Sequence, residues 1–195
     1  LQVGAWSETG ERTGRPSRRD GEAPAGGRAA NHRIPAASLA PAGAETTTED
    51  LGLAEMQKFL GEAGLKKGEV LLEEGSGLSR GCLLTPNATV ELLRFMSRHR
   101  DAEVYRDALP VGGVDGSLRN RFKQTKAAGN VRAKTGSLRY VDTLSGYVTT
   151  SAGEPLAFSI MLNNNPGSGT AGRAAIDSLV KLLAEYPGGA GRKAE

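Results

Sequence analysis

Hydrophobic and polar positions divide this chain into two unlike parts. Through the first 50 residues they follow neither a period of 3.6 nor a period of 2, and Trp6 is the only aromatic. From Thr46 onward a pattern sets in. Thr48 reads as the cap of a helix with Glu49 and Asp50 in its first turn, where the helix dipole favours negative charge. Leu53, Met56, Leu60 and Ala63 then share one face, and Gly64 closes the helix. A short apolar run at 70–72 reads as a strand, and the turn-rich stretch 74–80 follows. Thr85 and Pro86, a cap and first-position pair, open a helix that runs to about Arg98 with Val90, Leu93 and Met96 on one side. A second turn-rich piece covers 110–116, and Asp115 reads as the cap of a short helix around 117–122.

The period then switches to 2. Strands are predicted at 131–135 and 143–150, with a hairpin turn at 151–154. A third strand is predicted at 156–162, where Leu156, Phe158, Ile160 and Leu162 alternate onto one face. After a loop at 163–170, residues 171–186 read as an amphipathic helix with Ile176, Leu179, Val180 and Leu183 inward. The expected fold class is therefore α+β: an antiparallel β-meander with packed helices, closed by the C-terminal helix.

Composition sharpens the division. Of 195 residues, 27 are glycine, about twice the usual share of roughly 7 %. Residues 1–47 cannot bury enough apolar surface to offset chain entropy of about 1–2 kcal/mol per ordered residue. They are expected to be an irregular, low-complexity segment, with 48–187 as the folded part and 188–195 as a flexible tail. The chain starts at Leu1 with no methionine, basic n-region or apolar h-region, a beginning expected of a truncated or frame-disturbed gene. Cys82 is the only cysteine and His32 and His99 the only histidines, so neither a disulfide framework nor a metal site is expected. No apolar run approaches a membrane span. A net charge of +3 does not by itself imply nucleic acid.

One motif carries chemistry. Lys134-Thr135-Gly136-Ser137 sits at the end of the first strand of the meander. A strand-borne Lys134 places a fixed positive charge where it can lower the pKa of a reacting serine, assist proton transfer and attract a carboxylate. Thr135 and Ser137 add hydroxyls suited to a terminal carboxylate, and Gly136 lets a peptide lie close and pair with the strand.

With Gly75-Ser-Gly-Leu-Ser-Arg80, Gly113-Val-Asp-Gly-Ser-Leu118, Val131 to Arg139 and Leu144-Ser-Gly-Tyr-Val148, the region 51–186 resembles the C-terminal part of the serine D-alanyl-D-alanine carboxypeptidases/endopeptidases. These are the class C low-molecular-weight penicillin-binding proteins of peptidase family S13. The resemblance implies a part of a penicillin-recognising, β-lactamase/transpeptidase-like domain that hydrolyses peptidoglycan stem peptides ending in D-Ala-D-Ala through an acyl-enzyme. It implies β-lactams as ligands of the complete enzyme, no cofactor, no nucleic acid, and a place in the periplasm or cell wall. It further implies Lys134 and the backbone N–H of Ser137, half of an oxyanion hole, as catalytic groups. Lys134, Thr135, Gly136 and Ser137 are the implied substrate contacts.

That family pattern also needs an S-x-x-K nucleophile and a Ser-x-Asn upstream of the K-T-G. No Ser-x-Asn occurs, and the single S-x-x-K, Ser178 to Lys181, follows the K-T-G in mid-helix. No nucleophile is therefore assigned, and the lone chain is expected to be inactive. Glu74 stands where relatives usually carry Asp, and Cys82 where asparagine is common, which puts local hydrogen bonds in question. Ser76 and Ser79 read as turn hydroxyls. An alternative is a non-catalytic module that meets an anionic polymer through Arg119, Arg121, Lys123, Lys126, Arg132, Lys134 and Arg139, opposed only by Asp115. A third expectation is a domain too incomplete to fold alone.

Overall fold

The computed structural model of the chain describes residues 2–5, 47–66, 68–167 and 169–188. In chain order the elements are β1 (Gln2–Ala5), α1 (Thr48–Glu62), β2 (Val70–Leu71), β3 (Leu83–Leu84), α2 (Pro86–Arg98) and α3 (Ala102–Asp107). A 3₁₀ turn at Gly116–Leu118 comes next, then β4 (Arg132–Leu138), β5 (Val141–Thr149), β6 (Pro155–Leu162) and α4 (Gly169–Glu185).

The main sheet is antiparallel in the order β1-β6-β5-β4. Alternation sorts its side chains to two covers. Leu144 and Val148 of β5 and Leu156, Phe158 and Ile160 of β6 meet Ile176, Val180 and Ala184 of α4. On the opposite face Tyr147 and Ala157 meet Val90, Leu93 and Leu109. All residues from Leu156 to Ile160 are buried, because β6 lies inside the sheet with a helix on each side. The Tyr147 hydroxyl donates to the Leu93 carbonyl at 2.7 Å, stitching sheet to helix. This is the expected α+β class, with the meander and C-terminal helix in place.

Details differ from the expectation. Thr47, not Thr48, caps α1, because its hydroxyl and main chain form a reciprocal capping box with Asp50. The face of α1 expected to be inward buries no helix residue; Met56 is exposed, and only Ala63, just past the helix, is buried. The strand at 70 pairs with a second, unforeseen strand at 83–84. Asp115 caps nothing: its carboxylate accepts from the Val111 N–H at 2.7 Å, and the expected helix shrinks to the 3₁₀ turn. The meander strands are longer than expected, since a two-residue hairpin at Arg139 and Tyr140 joins Leu138 to Val141. Tyr140 takes φ +68° there.

Leu179 of α4 is exposed, and Gly172, with Ala184, takes the inward positions instead. Gly172 is needed for contact, as a Cβ there would come within 2.8 Å of an Asp142 carboxylate oxygen. The short helix α3 carries no pattern long enough to be read from sequence. Within the stretch expected to be irregular, Gln2–Ala5 is extended and pairs with β6. Four residues are too few to show a period, and the exposed edge of β6 supplies the order. Residues 6–46, like 189–195, lie outside the described residues.

Candidate functional site

The site is an open strand edge. The first half of β4 is covered on its outer side: the Gly112 N–H donates to the Val131 carbonyl at 2.8 Å, and the Ala133 N–H to the Pro110 carbonyl at 3.0 Å. Backbone groups alternate sides in an antiparallel pair, so those of Arg132, Lys134 and Gly136 turn toward β5. The register with β5 continues without a bulge from Arg132 to Leu138. The N–H and C=O groups of Thr135 and Ser137 therefore face outward, past the end of the covering segment. Asn130 fixes the approach to this strand by bonding both the N–H and the C=O of Thr149.

Each motif side chain has a definite partner. Exposed Lys134 folds its ammonium onto the outward Thr135 carbonyl at 2.7 Å. The Thr135 hydroxyl donates to Ser117 Oγ at 3.0 Å. The Ser137 hydroxyl donates to the buried Asp142 at 3.0 Å. A Cβ on Gly136 would come within 2.5 Å of Thr143 Oγ1, so the glycine serves cross-strand packing as well as an open edge. Ser117, Arg121, Thr135, Ser137, Thr143, Arg173 and Ile176 line a cleft of about 310 Å³ between β4, the 3₁₀ turn and α4. Its wall is held by an ion pair between the Arg121 guanidinium and Asp177, both largely buried.

The glycine-rich stretch before β3 joins the same end of the sheet, where the Arg80 guanidinium donates to the Arg139 carbonyl at 2.7 Å. Glu74 organises this stretch by accepting from the N–H groups of Ser76, Leu78 and Ser79. A side-chain hydrogen bond from Ser76, followed by these N–H bonds, holds its carboxyl down at about 2, against an ordinary 4.5. Cys82 does what an asparagine would: its sulfur accepts from the Glu73 N–H and donates to the Glu74 carbonyl. Ser76 Oγ accepts from the Leu78 N–H, and Ser79 Oγ bonds Glu73 and the Gly81 N–H, as turn hydroxyls do. Ser178 bonds the Ala174 carbonyl one turn back on α4, an ordinary helix hydroxyl.

Thus the structure brings together the three segments singled out in the sequence, through Arg80, Ser117 and the strand itself. Lys134, Thr135, Gly136 and Ser137 are adjacent on one edge. The basic stretch does not form a single face: Arg121 pairs with Asp177 and Arg132 with Asp107, while Lys126 bonds Ser151 and Arg139 lies over Tyr140. Sequence reasoning missed Asp142, Arg173 and Asp177. The signal for the last two was present, since Arg173 and Asp177 are four apart and so share a helix face. Among the described residues no group of His, Cys, Asp and Glu could hold a metal ion, and no helix is long and apolar enough to cross a membrane.

Comparison with known proteins fits this geometry. The sequence profile of the D-Ala-D-Ala carboxypeptidase 3 (S13) family matches residues 36–186. The chain is 42 % identical over 146 residues to a D-alanyl-D-alanine carboxypeptidase of Actinomadura sp. strain R39, covering 72 % of this chain and 27 % of that protein. It is similar in structure to penicillin binding protein 4 (dacB) from Haemophilus influenzae, solved with a β-lactam, at TM-score 0.64 and 30 % identity, covering 70 % of this chain and 34 % of that one. A class A β-lactamase from Bacteroides cellulosilyticus shares the fold at TM-score 0.54 and 16 % identity, over 67 % of this chain and 52 % of that one. The chain spans about a quarter of the length of the curated relatives it matches.

Proposed function

This chain belongs to the D-Ala-D-Ala carboxypeptidase 3 (S13) family, and on that premise we propose that β4 is the substrate-side wall of a serine-type peptidase site for stem peptides ending in D-Ala-D-Ala. The observation that carries the reading is the open outer edge of β4 at Thr135 and Ser137, beside the Lys134 ammonium. An extended peptide adds to that edge as a further strand, exchanging main-chain hydrogen bonds with Thr135 and Ser137. The Ser137 N–H is then one donor for the oxyanion that develops on the scissile carbonyl, an interaction typically worth about 10²–10³ in rate. Lys134 supplies positive charge near the attacking oxygen and leaves the Thr135 carbonyl when the peptide takes that acceptor.

No S-x-x-K precedes the K-T-G and no Ser-x-Asn occurs in the sequence, so this chain by itself binds but does not hydrolyse. The complete enzyme's carboxypeptidase or endopeptidase action, its acylation by β-lactams and its place in the periplasm or cell wall belong to the same proposal, drawn from the family. The test is a titration of the 195-residue chain with a peptide ending in D-Ala-D-Ala, followed by amide chemical shifts. Shifts confined to Thr135, Ser137 and their neighbours are expected, absent with the L-Ala-L-Ala peptide. Equal response to both peptides would sink the reading. Incubation with labelled penicillin should leave the chain unmodified, and one label per chain would overturn its inactivity.

A further inference from the structure

A second cleft, of about 500 Å³, lies between the C-terminal ends of α1 and α2 and shares no residue with the one beside β4. Phe95 forms its apolar wall, held edge-on to Phe59 of α1 at 5.7 Å and 5.6 Å from the His99 ring. Arg94, Arg98 and Arg100 line it, with Glu91 as the one carboxylate of the lining. Asp101, outside the lining, lies 3.4 Å from Arg100. With both carboxylates counted against the three guanidinium groups, one positive charge remains. It falls to exposed Arg98, which has no ion pair among the described residues. A cation in the last turn suits the α2 dipole, but that accounts for Arg98 and not for Arg94, a turn earlier, or Arg100, past the cap. The negative end of α2 is itself covered: the Leu93, Arg94 and Met96 carbonyls accept from the Tyr147 hydroxyl, the Ser97 hydroxyl and the His99 N–H. Its repulsion of a nearby anion is blunted accordingly.

Arg94 is the sharper sign. It reaches Glu91 end-on through Nη1 at 2.8 Å, and its Nε is buried with no hydrogen-bond partner among the described residues. A buried donor without an acceptor is costly. A turn of the guanidinium into the cleft presents Nε and Nη2 side by side to two oxygens of an anion. His99 adds a donor: its Nδ1 accepts from the Asp101 N–H at 3.2 Å, so the neutral ring carries its proton on Nε2. We propose that this cleft binds a phosphate monoester whose organic part lies against Phe95. Three terminal oxygens match the donors of Arg94, Arg98 and His99 better than the two of a carboxylate do. The proposal is independent of the reading of β4.

The test titrates the full chain with phenyl phosphate, inorganic phosphate, benzoate and phenol. The readouts are the amide shifts of Ala63, Phe95 and His99 and the Arg94 Nε–H signal. Phenyl phosphate is expected to move all four and to bind about tenfold more tightly than benzoate. Inorganic phosphate should move the same signals at higher concentration, and phenol none. Arg94→Lys keeps the charge and loses the Nε–H, while Arg98→Gln removes the unpaired charge. Each should weaken phenyl phosphate about tenfold, and Lys181→Ala, a charge loss on α4, should change nothing. If a thermal melt shows that Arg94→Lys does not fold, Arg98→Gln, at an exposed side chain, carries the test. No response to phenyl phosphate overturns the site, and benzoate binding as tight as phenyl phosphate overturns the phosphate class. Binding that the arginine variants leave intact, or an equal response to phenol, overturns the proposal in favour of apolar adhesion to Phe95. None of these outcomes touches the β4 edge, whose signals at Thr135 and Ser137 are read in the peptide titration.

Discussion

In the sheet, Phe158, Leu144, Val148 and Ile176 are sealed between β5, β6 and α4. Across the molecule, the 15 residues of α1 bury none of their number, and Leu71, Leu78, Leu83 and Leu84 around the β2–β3 pair are exposed. The first region is held by apolar burial that no single contact dominates. The second is held by local devices: the Thr47–Asp50 capping box, the Glu74 carboxylate and the Cys82 thiol. The difference teaches where the site gets its rigidity. β4 is an edge strand, yet it is paired along its whole length to a strand buried on both faces. An edge that must stay open for a peptide is kept in shape from behind.

The largest test of that contrast is Phe158→Ala, which should cost about 3–5 kcal/mol because its buried ring leaves a cavity that two strands and a helix cannot close. Leu78→Ser, at a side chain 72 % exposed, should stay within about 0.5 kcal/mol. Denaturant midpoints of the two variants check this, and similar losses would show that both regions share one core.

Next comes Gly146→Ala. A Cβ there would meet the Arg132 carbonyl at 2.1 Å and Ala133 Cα at 2.6 Å, both main-chain atoms that cannot rotate away. The substitution should cost about 1–3 kcal/mol and should part β4 from β5 before anything else opens. Hydrogen exchange of the β4 amides that pair with β5, Lys134 and Gly136, should accelerate while Phe158 stays protected. A uniform change across the sheet would count against a separable edge.

What the sequence could reveal follows the same division. Alternation at Leu156, Phe158 and Ile160 and the Thr85-Pro86 helix start were legible because burial on one face imposes a period. The shared face of α1 is only partly covered: Ala63 is buried and Leu53 and Leu60 half-buried, while Met56 is exposed, since capping and propensity suffice to make a helix with no fully buried residue. The motif Lys134 to Ser137 was legible as chemistry, but Asp142 was not. Its role arises from the Ser137 hydroxyl across the β4–β5 pair and from Gly172 of α4 beside it, a relation with no sequence period. Cys82 in place of asparagine put the local hydrogen bonds in question, and the thiol supplies both a donor and an acceptor in this turn.

A smaller effect is expected where the two faces are tied by one bond. Tyr147→Phe keeps the packing against Val90 and Leu93 but removes the donor to the Leu93 carbonyl. The loss should be about 1 kcal/mol, read as a lowered melting temperature with unchanged sheet signals. Burial of Tyr147 raises its hydroxyl's pKa above the ordinary value of 10.0. By linkage, stability from this tyrosine is fully present below pH 10, where the unfolded hydroxyl titrates, and is lost as pH rises above it; a loss assignable to Tyr147 that sets in well below pH 10 would contradict its burial.

The smallest effect is local and set by pH. Glu74 is depressed from 4.5 to about 2 in the folded chain, chiefly by Ser76 and Ser79. A carboxylate lowered in this way contributes order that is fully present above its unfolded value and is lost as pH falls through its folded value. The amide signals of Ser76, Leu78 and Ser79 should therefore titrate together with a midpoint near 2, while those of β5 and β6 do not follow them. Glu74→Gln keeps an oxygen acceptor but removes the charge, so the three amides should cease to titrate and the sheet should melt as before. If the sheet instead lost stability in step with Glu74, the loop would be coupled to the buried body, and the division between the two regions would be wrong at this point.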